Sequence, residues 1–363
     1  MKICFFGSSL VSSYWNGAAT YYRGLLRALA RLGHDITFYE PDAFGRQQHR
    51  DMDDPDWAKV VVYPATSEGW QRALAEGART ADLLVKASGV GVFDAELEVA
   101  VPDARSAGTL AVFWDVDAPA TLDALAADRD HHLRAAIPRY DFVLTYGGGD
   151  PVVRAYESCG ARLCVPIYNA VDPATHHPVP PREDLRCDLS FLGNRLPDRE
   201  ARVEEFFLKP AALLPRRDFL VGGSGWETKA LPANVRHIGH VGTGQHNALF
   251  SSSLATLNIN RDSMARYGFS PPTRIFEAAG VGACIITDAW DGIELFLDPD
   301  TEILTAASGE DVADLVAALE PAAAQRIGAA AKARVLAHHT YRHRAQQVTE
   351  LLGTASSTRE AAE

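Results

Sequence analysis

Short apolar runs alternate along the chain with stretches whose apolar positions recur at helical spacing. Lys2 to Phe6 is the first run and reads as a buried strand. After a loop over 7–17, Ala18, Tyr22, Leu25, Leu26, Leu29 and Leu32 fall at helical intervals and Gly33 stops them, which predicts a helix over 18–32. Further strands are expected at 36–39, 83–86, 110–114, 142–145 and 163–166. The segment 173–181 holds Pro173, Pro178, Pro180 and Pro181 and reads as a linker. Beyond it the pattern restarts, with strands expected at 189–192, 218–221, 235–238, 255–259, 284–287 and 302–304. Strand–helix–strand units with short buried strands predict an α/β protein with parallel sheets covered by helices on both faces.

The chain has 363 residues, about two domains at roughly 150 residues each. Two Rossmann-like domains are expected, over 1–172 and 173–337. A C-terminal helix at about 338–353 is expected to pack back on the first, followed by a frayed tail over 354–363. Net charge is -12, from 35 Lys plus Arg against 47 Asp plus Glu, which argues against nucleic acid as a partner. No apolar run approaches the roughly 20 residues of a membrane-spanning helix. The apolar stretch at the start is too short for a signal peptide. Cys4, Cys159, Cys164, Cys187 and Cys284 are odd in number and dispersed, which fits reduced thiols in a cytoplasmic protein and neither a disulfide framework nor a zinc site.

Three segments carry candidate chemistry. Gly7, Ser8 and Ser9, then Asn16 and Gly17 ahead of the first helix, form either a phosphate-approaching turn or a plain connection. Asp115 and Asp117 follow a strand, at the edge where open α/β sheets bind ligands. By spacing alone they either hold a metal on a diphosphate or cap the next helix. In the third, Ser270 is expected to cap a helix begun by Pro271 and Pro272, with Thr273 and Arg274 in its first turn. Such a terminus is an anion site, and Glu277, one turn on, suits ribose hydroxyls; plain capping is the alternative. Lys86 and Ser88 end another first-domain strand, and Tyr146 opens the glycine run 147–149; these are acceptor-side candidates. Most histidines, His176 and His246 among them, read as solvated or structural.

The string Pro271-Pro272-Thr273-Arg274-Ile275-Phe276-Glu277-Ala278-Ala279, followed by Gly282-Ala283-Cys284-Ile285-Ile286-Thr287-Asp288, resembles the donor-site signature of CgeB-like glycosyltransferases of the GT-B fold. Tyr168-Asn169-Ala170-Val171-Asp172 resembles the hinge motif of group-one glycosyltransferases, and Asn16-Gly17 through Ile36 their N-terminal glycine turn and helix. The resemblance implies two Rossmann-like domains whose parallel sheets face each other across a cleft, the second holding the donor.

Carried over by position, the resemblance implies that Glu277 binds the nucleotide ribose and that Thr273 and Arg274 face the diphosphate. Gly17, Asn194, Arg195, Gly223 and Trp226 lie on loops that face the donor. His240 and Val241 meet the nucleobase, and Asn258, Asn260 and Arg261 lie beside the pyrophosphate. Group-one relatives often carry a second glutamate where this chain has Phe269, which leaves Asn260 or Arg261 to hold the sugar. GT-B enzymes stabilise the leaving diphosphate with helix dipoles and basic side chains. No metal is therefore implied, and Asp115, with Asp117 as its rival, moves to the acceptor side as the catalytic candidate. The implied function is metal-independent, retaining transfer from a nucleotide-diphosphate sugar to an unidentified acceptor, with no cofactor beyond that co-substrate. A nucleotide-sugar epimerase, a phosphorylase and an inactive binding protein of the same shape are the alternatives.

Overall fold

The computed structural model describes residues 1–14 and 16–360, and their side chains except at 198, 263 and 355–360. The chain divides into two compact units: Met1–Tyr168 with the segment from Tyr341, and Asn169–Thr340. The proline-bearing segment 173–181 lies inside the second unit.

In the first unit, β1 (Lys2–Phe6), β2 (Asp35–Asp42), β3 (Lys59–Pro64), β4 (Leu83–Ala87), β5 (Leu110–Asp115), β6 (Phe142–Thr145) and β7 (Cys164–Pro166) form one parallel sheet. Their order is β3-β2-β1-β4-β5-β6-β7. Both faces are covered, so β1, β4 and β5 are apolar almost throughout, with Phe5, Phe6, Leu84, Val85 and Phe113 inaccessible to solvent. β3 is an edge strand whose valines stay half-exposed; the sequence pattern did not mark it. The helix Ala19–Arg31 crosses from β1 to β2 and packs against Tyr341–Glu360, where Gly24 leaves room for the Tyr341 ring. The tail expected to fray from 354 is helical as far as Glu360, and 361–363 lie outside the described residues.

In the second unit, β8 (Cys187–Leu192), β9 (Phe219–Gly222), β10 (Val235–His237), β11 (Ser253–Asn258), β12 (Ile285–Asp288) and β13 (Leu304–Ala306) form a parallel sheet ordered β10-β9-β8-β11-β12-β13. Its core gathers Leu189, Phe191, Phe207, Phe219, Leu257 and Ile286. In both units the strand order reverses beside the first strand of the sheet. Ligands of doubly wound folds bind at that switch point, outside the carboxyl ends of the strands. The five cysteines are unpaired. Among the described residues no helix is long and apolar enough to cross a membrane.

Candidate functional site

The switch point of the second sheet lies between β8 and β11, and Arg274 sits at its carboxyl edge. Arg274 is the second residue of the helix Thr273–Val281. Its Nη1 donates to Asn258 Oδ1 at 3.1 Å, at the end of β11, and its guanidinium stands 5.5 Å from the centroid of the Phe191 ring on β8. Arg199 covers the same ring at 5.5 Å. Burial pulls the Arg274 pKa down to about 9, and the Arg199 charge acts the same way against Glu277 and Asp288. The helix starts after Pro272 with no side-chain cap. Ser270, expected to cap it, instead donates to Gly268 O at 2.9 Å. The Ile275 N–H bonds back to Pro272 O at 3.1 Å, and the uncapped start presents the positive end of the helix dipole, a ready anion site.

Behind this terminus the ends of β11 and β12 are tied together. Asn258 Nδ2 donates to Thr287 Oγ1 at 3.0 Å, and Asn260 N–H to Asp288 Oδ1 at 3.0 Å. Arg202 pairs with Asp288 at 2.5 Å. Burial nevertheless leaves the Asp288 carboxyl above the usual carboxylate range. Asn260 is buried, and Arg261 follows it half-buried.

The loops after β8 and β9 correct two expectations. Trp226 is buried, and its Nε1 donates to Gly193 O at 2.8 Å; it belongs to the core and presents no face to a ligand. Arg195 holds Glu200 through Nε and Nη2 at 3.0 and 2.7 Å and Thr228 at 3.1 Å, so its guanidinium braces the loop. Asn194 accepts Ser224 N–H at 3.0 Å. Gly223 has φ +134°, and a Cβ there would stand 2.2 Å from Gly193 O. Only glycine lets these two loops approach so closely.

Glu277, one turn along the same helix, is 7% exposed and flanked by two imidazoles. His176 Nε2 lies 3.8 Å from Glu277 Oε1, and His246 Nδ1 3.6 Å from Oε2. Burial pushes the Glu277 carboxyl up, but His246, His176 and Arg274 outweigh it and bring the pKa down to about 2. Burial holds His176 below its ordinary value despite Glu277. Local chemistry explains why His176 is there. Asp172 Oδ1 accepts Ala174 N–H at 3.0 Å in an Asx turn, and its carbonyl accepts His176 N–H at 2.9 Å. Gly280 lets the helix meet this segment, since a Cβ there would stand 2.5 Å from Val171 Cγ2. Neither histidine is marked in the sequence as part of a site, and nor are Phe191, Arg199 and Asp288; residues so far apart in the chain carry no spacing signal. His240 and Val241, with Ile238, Leu249, Arg182 and Asp184, line a separate pocket of about 170 Å³ beyond β10.

In the first unit the strand end of β5 reverses the expected roles of its carboxylates. β5 runs through Asp115, one residue beyond the expected end, and Asp115 is 0% exposed. Its Oδ1 accepts Ser88 Oγ at 2.7 Å and Asp117 N–H at 2.9 Å, and its Oδ2 accepts the Tyr156 hydroxyl. Asp115 and Ser88 thus tie β4, β5 and the helix Gly149–Ser158 together and do not face an acceptor. Asp117 precedes the helix Ala118–Ala127 but makes no side-chain cap, and it stays half-buried at the edge. Lys86 is also 0% exposed, paired with Asp94 at 2.7 Å and Glu98 at 3.7 Å; it too is internal. Tyr146 remains half-buried at the edge, its ring 5.5 Å from that of Tyr21. Gly17 is exposed, ahead of the helix Ala19–Arg31. Asn16 organises its loop by accepting from Ser8 Oγ and donating to the carbonyls of Ser9 and Ser12.

Residues 199–350 match the family described as "Glycosyl transferase-like". A search of the curated proteins finds no match. Among solved structures the chain is similar to Anabaena HepE in complex with UDP-glucose, at 16% identity and TM-score 0.66 over 98% of this chain and 100% of that one. It is also similar to sucrose-phosphate synthase from Thermosynechococcus elongatus, at 14% identity and TM-score 0.70 over 99% and 100%. An α-glucosyltransferase in complex with UDP-glucose and DNA containing an abasic site matches at 13% identity and TM-score 0.71 over 97% and 99%. The fold is therefore GT-B, with two parallel-sheet α/β units. The family match over the segment that carries Arg274 and Glu277 marks an enzyme of the glycosyltransferase class.

Proposed function

We propose that this protein transfers a sugar from a nucleotide-diphosphate sugar to an acceptor hydroxyl, without a catalytic metal or further cofactor and with retention at the anomeric carbon. The observation that carries this reading is Arg274, held by Asn258 at an uncapped helix start with Glu277 one turn away. When the bond between the sugar and the diphosphate breaks, negative charge grows on the leaving oxygens. The positive helix start and a fixed guanidinium meet that charge without a metal. Glu277 is ionised at neutral pH and offers two acceptor oxygens to ribose hydroxyls. A uridine nucleotide is the first choice, because HepE and the α-glucosyltransferase were solved with UDP-glucose.

On the acceptor side we assign Asp117, the half-buried carboxylate after β5, with Tyr146 at the same edge of the first sheet, and the exposed Gly17 turn is kept for the donor. The pocket beside His240 and Val241 is assigned to the nucleobase. The net charge of -12 disfavours a nucleic-acid acceptor. Five unpaired cysteines support a cytoplasmic location, and the string from Pro271 to Ala279 supports the CgeB-like subfamily. Incubation with a panel of nucleotide sugars tests the reading. Slow release of nucleotide diphosphate from one of them is the expected outcome; release from none would exclude a transferase.

A further inference from the structure

The imidazoles around Glu277 pose a question that ribose binding does not answer. His176 Nε2 and His246 Nδ1 are both buried and have no hydrogen-bond partner. At 3.8 and 3.6 Å neither closes a hydrogen bond on the carboxylate they share. Buried polar atoms are almost always satisfied, and two orphaned nitrogens converging on one carboxylate call for an occupant. The three candidate ligand atoms all lie within 4.8 Å of one another.

We infer that His176, His246 and Glu277 bind one divalent transition-metal ion of the zinc type, leaving its fourth position to water or a further ligand. Two imidazoles and one carboxylate form a donor set that zinc takes readily, whereas magnesium and calcium prefer oxygen alone. Bonds of about 2.0–2.1 Å in a tetrahedron place donor atoms roughly 3.3 Å apart, so the rings need to close by about an ångström. His176 is 2% exposed, so its ring is held inside the site and does not swing out to solvent. The backbone around the site is fixed on both sides. The Asx turn at Asp172 sets His176, and Asn247, next to His246, donates to Thr175 O at 2.9 Å. The ion would take the carboxylate assigned above to ribose, so ion and nucleotide exclude one another. That consequence rests on the donor reading, whereas the ion site does not.

The test is a cobalt(II) titration of the full chain after chelation and dialysis, without nucleotide. The expected result is a tetrahedral visible absorption band that saturates at one equivalent and is displaced by zinc. H176Q and H246Q should each weaken binding by more than the roughly 10–100-fold lost with an outer-shell partner. E277Q serves in place of any histidine variant whose thermal unfolding shows that it has not folded. No saturable band, or an undiminished band in any folded variant, would overturn the ion site. UDP calorimetry on the metal-free chain reads the donor assignment separately, so failure of one is distinguishable from failure of the other.

Discussion

Arg274 donates to Asn258 across 3.1 Å, joining the first turn of a helix to the end of the strand beside the switch point. The bond fixes a planar cation where the helix dipole is already positive, and Phe191 supports the guanidinium from below at 5.5 Å. Preorganisation of this kind costs no rearrangement when charge develops.

Removing that cation should therefore affect turnover. Arg274→Ala is expected to lower kcat by about 10²–10³-fold, the usual loss for one donor aimed at developing charge. Asn258→Ala, which only frees the guanidinium, should cost less. Addition of a chelator to the wild type should leave turnover unchanged or raise it. Steady-state release of nucleotide diphosphate reads all three.

The two carboxylates at the end of β5 should separate stability from activity. Asp115→Ala strips the acceptor from Ser88 Oγ, Asp117 N–H and the Tyr156 hydroxyl. Buried donors left unpaired cost roughly 1–3 kcal/mol each. At about 2–4 °C per kcal/mol for a unit of this size, Tm should drop by roughly 5 °C or more. Asp117→Asn should leave Tm nearly unchanged and reduce turnover on the true acceptor. Calorimetric melting beside an acceptor assay distinguishes the two.

His176 should make the protein acid-sensitive in a defined window. Its folded pKa lies below the ordinary 6.5 because burial disfavours the charged ring. The unfolded chain thus takes up a proton first as pH falls, and stability is lost below about pH 6.5. Glu277, held at about 2 instead of its ordinary 4.5, adds a second loss as pH falls below the usual carboxylate range. Both contributions are complete above pH 6.5. H176Q should flatten the decline of Tm between about pH 6.5 and 5 and shrink the lower one, because His176 is one of the groups that depress Glu277; a decline identical to wild type would contradict the burial argument.

Gly280→Ala tests how closely the helix must approach the segment that carries His176. The new Cβ would meet Val171 Cγ2 at 2.5 Å and His176 O at 3.2 Å. Overpacking typically costs about 1–3 kcal/mol, and the displaced segment should weaken nucleotide binding, measured by calorimetry.

What the sequence reveals here depends on whether a feature is local. β1 and β6 occupy the expected residues because both are continuous apolar runs buried on two faces. β3 escapes because it is an edge strand whose valines stay half-exposed. Arg274 and Glu277 can be placed together from the sequence because one helix start carries both. The error at Asp115 is a boundary error: the strand runs one residue further and takes the side chain inside with it. Trp226 and Arg195 lie on the expected loops, yet the first turns into the core and the second is held by Glu200, which no loop position reveals. The ring of His176, His246 and Glu277 arises only when three distant segments pack, so no spacing rule reaches it.

The central claim is that the second unit holds a nucleotide diphosphate between Arg274 and Glu277. Calorimetric titration of UDP into the wild type, Arg274→Ala and Glu277→Ala, all in chelator and all with wild-type melting curves, tests it most directly. The wild type should bind at one site, and each substitution should weaken binding about tenfold or more, as the loss of charge-assisted hydrogen bonds requires. Equal affinity in all three proteins would contradict the account.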